Sequence, residues 1–308
     1  MSDLETLAVR LGPGAQPEAP LGARTTYRVG GTAAVLYAAR TVDDLAVAAD
    51  ALRGLDVDVL VVGKGSNLLV SDAGFRGLAV TLAGDFESIG EAVVGSESSM
   101  LVSAGGAVAL PVLARRLAET GMSGLEWGVG VPGSVGGAVR MNAGGHGSDI
   151  SESLVSAELF SLATGERVVR SARELGLSYR HSDIRSDEIV TSATFRLTEG
   201  PPDASRAAIA EIVRWRRANQ PGGSNAGSVF TNPPGDAAGR LVEAAGAKGL
   251  RHGTAHVSVK HANFIQADEA GSADDVHALI EEVRALVLHE TGVELATELV
   301  TVGFGDTQ

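Results

Sequence analysis

The sequence predicts an α+β fold in two domains, and three observations carry that reading. The first 80 residues alternate in the order strand, helix, strand, loop, strand. Between residues 154 and 197, three strand-like runs follow one another, the first two joined by a turn at Ala163–Gly165. Gly200-Pro201-Pro202, the strongest linker signal in the chain, then opens a region holding two long helical runs. A length of 308 residues fits two domains of ordinary size. The expected division is a flexible lead-in at 1–20, a first domain at 21–199 and a second at 200–308.

The elements follow in order. Residues 12–20 are rich in Gly, Pro and Ala and read as the flexible lead-in. Residues 33–39 form an apolar strand. Residues 42–53 form a helix, with Thr41 as its cap and Asp43 and Asp44 in its first turn, where acidic groups suit the helix dipole. Residues 57–62 are apolar and β-branched, a strand that GKGSN (63–67) turns into 68–70, with a further strand at 77–82. A strand at 100–104 and a helix at 110–120 precede a glycine-rich stretch, and strands follow at 154–162, 167–170 and 188–197. The helix at 204–219 stops before Pro221, and that at 273–291 is closed by Gly292. A strand-like segment at 294–302 finishes the chain. No internal repeat is evident.

Composition narrows the function classes. Hydrophobic residues make up 44% and charged residues 20%, normal for a globular protein. Aromatics are only 4%, against a groove that stacks bases. Net charge is −13, from 25 basic and 38 acidic residues, the wrong sign for lining nucleic acid. There are no cysteines, which excludes disulfides, thiolate metal sites and a cysteine nucleophile. The first 20 residues lack the apolar core of a signal peptide, and no run reaches the roughly 18 apolar residues of a membrane span. A cytoplasmic location is therefore expected.

The stretch 121–147, GMSGLEWGVGVPGSVGGAVRMNAGGHG, carries the most functional information. It holds ten glycines in 27 residues together with Trp127, Val129, Val131, Val135, Val139 and Met141. A linker would be polar, so this backbone is packed, with glycines where side chains do not fit. Converging backbone N–H groups hold phosphate well. Its ordinary reading is a set of tight turns. Gly128, Gly130 and Gly133 formally match GxGxxG, but Pro132 and the following Val135-Gly136-Gly137 deny it the strand and helix of a Rossmann fingerprint. GKGSN supplies N–H and hydroxyl donors suited to a pyrophosphate, without the spacing of a Walker loop. YRVGG (27–31) is a third glycine turn, and three such turns before residue 150 point to one large phosphate-containing cofactor.

Other candidates are weaker alone. Ser228 and Asn232 stand on the loop GSVFTNP (227–233), where a serine is ordinarily a turn residue. Arg180 in SYRHSD and Glu298 near the end are ordinarily surface charges. His252, His256 and His261 offer HxxxH, but Gly253 and Thr254 disfavour the helix such a site needs, so no metal is expected. No GxSxG elbow is present.

Read together, YRVGG, VVGKGSNLLVSDAGFRG, GLEWGVGVPGSVGGAVRMNAGGHG, LSYRHSDI, QPGGSNAGSVFTNP, AGAKGLRHGTAHVSVKHANFI and GVELATELVTVG resemble, in order, the UDP-N-acetylenolpyruvylglucosamine reductase family, MurB. The matches span residues 27–303. The resemblance implies an FAD-binding domain of the PCMH or vanillyl-alcohol-oxidase type, built of two α/β subdomains, over 21–199. A smaller α/β substrate domain would follow over 200–308. The uninterrupted path after SYRHSDI resembles the family's shorter second type. The implied reaction has two halves: NADPH reduces non-covalent FAD, and the enolpyruvyl ether of UDP-N-acetylglucosamine is then reduced to UDP-N-acetylmuramate for peptidoglycan.

By position, the resemblance makes Ser228 the proton donor, Arg180 the holder of the substrate carboxylate and Glu298, in its protonated form, a stabiliser of developing charge. It places FAD against Arg28, Gly30, Gly31, Gly63, Lys64, Gly65, Ser66, Asn67, Leu68, Gly130, Val131, Pro132, Gly133, Ser134, Gly136, Gly137 and Asn142. Thr32 stands where related oxidases often attach flavin through histidine. Asn232, Gln220 and Asn263 are the implied contacts of the substrate's nucleotide end. No nucleic acid or membrane insertion is implied.

The chain departs from the family's pattern at Thr231 (usually Lys), at Gly145-His146 (usually Ala-Tyr), at Gln266-Ala267 and at Thr297 and Leu299 beside the last glutamate. Two alternatives stay open. One is another FAD-dependent oxidoreductase of this fold acting on a related sugar. The other is a flavin- or nucleotide-sugar-binding module without turnover.

Overall fold

Thr41 and Asp44 show how local sequence starts an element here. The Thr41 hydroxyl accepts the Asp44 N–H at 3.2 Å, and the Asp44 carboxylate accepts the Thr41 N–H at 3.0 Å. This reciprocal box opens the helix Val42–Leu52 at the residue expected. The computed structural model describes residues 1–95 and 99–305. It divides into two compact units, one of Met1–Pro17, Val35–Lys64 and Gly77–Arg216, the other of Glu18–Ala34, Gly65–Arg76 and Arg217–Gln308.

The first unit contains two sheets. In one, strands run in the order Ala15–Pro20, Thr32–Ala39, Phe75–Leu82, Val59–Val62, the last two parallel. The helices Asp3–Leu11 and Val42–Leu52 bury Leu7, Leu11, Leu45 and Ala48 in one core with Val35, Tyr37, Leu78 and Val80. The other sheet is antiparallel, in the order Arg167–Ser171, Leu154–Ser161, Glu188–Glu199, Met100–Gly105, Val93–Val94. The helix Leu110–Glu119 joins its core through Leu110, Leu113 and Leu117, an i, i+3, i+7 stripe. Val135, Ala138 and Val139 of the short helix Val135–Arg140 bury in the same core.

The second unit packs around Tyr27, Leu69, Val229, Phe230, Leu241 and Val242, with Val276, Ile280, Val283 and Val287 from one face of the helix Ala273–Thr291. Gly292, left-handed at φ 72°, ends that helix as its sequence indicated. A three-stranded antiparallel sheet runs in the order Arg251–His252, Ala255–Val257, Ile265–Ala267, so His252 and His256 stand on strands. Leu68–Val70 pairs in parallel with Val300–Val302. Gly30 lies beneath that pair's first strand at φ 104°, and a Cβ there would meet the Val70 carbonyl oxygen at 2.1 Å.

Three expectations change. Residues 1–20 are not a flexible lead-in: Ser2 and Glu5 form a capping box on Asp3–Leu11, whose Leu7 is fully buried, and Ala15–Pro20 is a strand. Only Val300–Val302 of residues 294–302 is a strand, because the preceding residues make one isolated bridge, Thr297 to Phe230. The division also falls elsewhere than residue 200. Gly200-Pro201-Pro202 merely starts the helix Pro202–Asn219, most of which belongs to the first unit, and residues 18–34 and 65–76 join the second. Linker composition marks a break along the chain; it does not mark segments that pack apart from their neighbours. Among the described residues, no helix is long and apolar enough to cross a membrane.

Candidate active site

The first unit holds an open cleft. Val61, Val62, Leu82, Ala107 and Val190 give it aliphatic walls, and Gly63, Lys64, Gly106, Ser134, Gly136, Gly137, Arg140 and Glu188 give it polar and backbone ones. Crowding requires a glycine at position 106, where a Cβ would meet the Val190 carbonyl oxygen at 2.0 Å. A Cβ on Gly63 would stand 2.5 Å from the Ser134 hydroxyl oxygen. Ser134 in turn caps the helix Val135–Arg140, accepting the Gly137 N–H at 3.2 Å. Apolar walls, close-packed backbone and two cations fit an anionic dinucleotide.

Arg140 and Glu188 were not singled out by the sequence. Glu188 is 3% exposed and pairs with Arg170 and, at 3.2 Å, with Arg185. Arg140 donates from Nη1 to the carbonyls of Ile184 at 3.2 Å and Arg185 at 2.8 Å. Burial lowers the pKa of its guanidinium, opposed by the nearby Glu188 and Asp187 charges. The only available signal was an arginine inside an otherwise small-residue helix.

Arg180, also in the first unit, sits at the tip of a tight turn. Ser178 and His181 exchange both backbone hydrogen bonds at 3.1 Å, leaving Tyr179 and Arg180 between them. Arg180 is left-handed at φ 55°, which costs a non-glycine residue roughly 1–2 kcal/mol. Its Nη2 donates to the Gly144 carbonyl at 3.2 Å, and its guanidinium lies 5.1 Å from the Tyr179 ring centre.

In the second unit, Ser228 and Glu298 lie on adjoining segments. Gly227, at φ 79°, turns the chain into Ser228, and its N–H is held by Asn225 at 3.0 Å. The Glu298 N–H donates to the Val229 carbonyl at 2.8 Å, and the Thr231 N–H to that of Ala296 at 2.9 Å. Val229, Phe230 and Leu299 are buried, which anchors these segments beside the partly exposed Ser228 and Glu298. Asn67 joins them: its Nδ2 donates to the Glu298 carbonyl at 2.9 Å. Gly65 and Asn67 thus lie in this unit, whereas Gly63 and Lys64 line the cleft of the first.

Several expected ligand contacts have structural work within the protein. Asn142 is 2% exposed, and its amide bonds to Asp149, Ser178 and Ser151. Its side chain thus works as an internal strut. Asn263 is 3% exposed; its amide accepts the Phe230 N–H at 2.9 Å and donates to the Phe230 carbonyl at 2.8 Å. It supports the Ser228 loop. Asn232 is exposed and accepts the N–H of Ala238, the first residue of the helix Ala238–Ala244, at 3.0 Å. Gln220 is half-buried just past the helix Pro202–Asn219. Gly30 and Gly31 are packed on the backbone of Val70, Asp72 and Gly74, and Arg28 is exposed at φ 60°. The Gly133 carbonyl accepts the Leu110 N–H at 2.9 Å, and Gly130 packs beside Ile212, His146 and Arg216. Arg216 is a polar neighbour the sequence did not flag, because an arginine in WRRAN reads as helix surface. Burial lowers its pKa.

Comparison with known proteins covers both units. Residues 219–302 match the family model of the UDP-N-acetylenolpyruvoylglucosamine reductase C-terminal domain, and residues 33–171 match an FAD binding domain. A UDP-N-acetylenolpyruvoylglucosamine reductase of Rubrobacter xylanophilus is 40% identical over 96% of this chain and 97% of its own length. One from Chloroflexus aggregans is 40% identical over 92% of this chain and 96% of its own. The crystal structure of the Thermus caldophilus reductase superposes with a TM-score of 0.80 at 35% identity, covering 93% of this chain and 98% of that one.

Proposed function

We infer the reaction from the premise that this chain belongs to the UDP-N-acetylenolpyruvoylglucosamine reductase family. It is a flavin-dependent oxidoreductase that reduces UDP-N-acetylglucosamine enolpyruvate to UDP-N-acetylmuramate, a step of peptidoglycan precursor synthesis. Similarity to named reductases over at least 92% of the chain is the observation that carries the assignment. NADPH is our proposed reductant.

FAD, when bound, would supply the redox chemistry, namely hydride transfer between reductant and substrate. We assign Gly63, Lys64, Ser134, Gly136, Gly137 and Arg140 to hold it, since they line the cleft. The reaction saturates a carbon–carbon double bond, so one hydride and one proton must be added. Hydride at the methylene carbon leaves a pair of electrons on the carbon bearing the ether and carboxylate. Ser228 donates its hydroxyl proton to that carbon. A serine is a weak acid in water, but an enolate-like carbon is a strong base, so the driving force is matched. Arg180 holds the substrate carboxylate through charge-assisted hydrogen bonds. Glu298, protonated, donates a hydrogen bond to the charge that develops; groups of this kind are typically worth about 3 kcal/mol.

Anaerobic mixing of the reduced flavoprotein with UDP-N-acetylglucosamine enolpyruvate tests this reading. The oxidised flavin absorbance should return within the turnover time. Return only on admitting oxygen would mark a flavin oxidoreductase with a different sugar substrate.

A further inference from the structure

We propose that Asn142 is a positioning residue that presets the Arg180 turn for substrate. The inference rests on the reading that Arg180 holds the substrate carboxylate. The turn bearing Arg180 has an intrinsic problem: its second central residue is left-handed at φ 55° although it is neither glycine nor asparagine. Such a conformation persists only where the surroundings over-determine it. One short segment, 140–144, bonds to it at several points.

Each part of the turn is tied to that segment. At its root, the Asn142 Nδ2 donates to the Ser178 carbonyl at 2.9 Å. Past its end, the Ser182 hydroxyl donates to the Arg140 carbonyl at 2.6 Å, and Arg140 Nη1 reaches Ile184 and Arg185. Over its tip, Arg180 donates to the Gly144 carbonyl at 3.2 Å. Asn142 is also left-handed, at φ 39°, which its short amide side chain tolerates. That conformation lets one side chain serve three segments: its Oδ1 accepts the Ser151 N–H at 3.0 Å while Nδ2 reaches Asp149 at 3.3 Å and Ser178. With the donor and acceptor ends both used inside the protein, an amide is the group required. The 140–144 segment continues directly from the helix whose Gly136, Gly137 and Arg140 line the cleft. Asn142 therefore fixes the carboxylate-holding turn to the element that forms the cleft wall.

Asn142→Asp is the direct test, because it keeps the acceptor for Ser151 but replaces the donor facing Ser178 and the Asp149 carboxylate with an acceptor. Ser182→Ala loosens the same turn from its other side and removes only one hydroxyl. Both are measured as holoenzymes, alone and combined with Arg180→Ala. We expect each to raise the substrate KM and lower kcat, together costing about tenfold in kcat/KM, with the NADPH half-reaction and flavin content unchanged. Added to Arg180→Ala, each should cost little more. If Arg180→Ala impairs turnover but both loosening variants are normal, or their losses multiply fully with it, the positioning role is overturned. Equal losses in both half-reactions overturn it too, since that marks general damage. If Arg180→Ala itself turns over normally, the reading of Arg180 fails first.

Discussion

Ser228, Arg180 and Glu298 illustrate what a side chain's surroundings add to its identity. Each would pass for a surface residue alone, and only the resemblance of the flanking motifs singled them out. The structure then places Ser228 after a left-handed glycine and brings its segment against that of Glu298. For Ser228→Ala we predict a loss of about 10²-fold or more in substrate reduction, with flavin reduction by NADPH nearly intact. Rapid-mixing absorbance separates the two halves, and near-normal reoxidation by substrate would remove Ser228 from the chemistry. For Arg180→Ala we predict weaker substrate binding and slower turnover together, read from steady-state kinetics. The asparagines were legible as motif members but not in role. Asn142, Asn232 and Asn263 all bond to backbone in this fold, and sequence does not say which way an amide faces. Arg140 escaped notice because nothing in GGAVRMN says that it lines the cleft.

Long elements were legible because their periodicity and caps agree. The helices Leu110–Glu119 and Ala273–Thr291 and the strands Thr32–Ala39 and Leu154–Ser161 fall within a residue or two of their expected ends. Short ones were not. The helix Ala238–Ala244 has seven residues, and the strands Arg251–His252 and Ala255–Val257 two and three, too few to show a period. The start of Ala273–Thr291 has a further support from outside itself. The Asp72 carboxylate accepts the Ala273 N–H at 3.0 Å, the Asp274 N–H at 3.3 Å and the Ser272 hydroxyl at 2.6 Å. Asp72→Ala should destabilise the protein by roughly 1–2 kcal/mol, the worth of a lost helix cap. A thermal melt reads this as a lowered Tm, and an unchanged Tm would show the cap to be dispensable.

At the scale of the molecule, the fold class and the order of large elements could be read from sequence, but the interleaving of the two units could not. The chain passes between units at Lys64/Gly65, inside GKGSN, with no change of composition to announce it. Charge acts at this scale too. Hydrogen bonds hold the pKa of Asp187, Asp268 and Asp275 below the ordinary carboxylate range, Arg185, Arg251 and Thr254 being their respective main partners. A depressed folded value means that the unfolded chain binds these protons first as pH falls. Their stabilisation is therefore complete above about pH 4 and drains away below it, through the lowered folded values. Unfolding midpoints taken from pH 7 to pH 2 should fall along that acid limb, and Asp275→Ala should flatten it. An acid limb unaltered by that substitution would contradict the linkage.

Anaerobic NADPH consumption by the purified flavoprotein, followed with the mass of the nucleotide sugar, decides whether this chain carries out the reduction. Sustained consumption is expected only when UDP-N-acetylglucosamine enolpyruvate is present, one NADPH for each UDP-N-acetylmuramate formed. Consumption that halts after one flavin equivalent, with the enolpyruvyl sugar unchanged, would contradict that assignment.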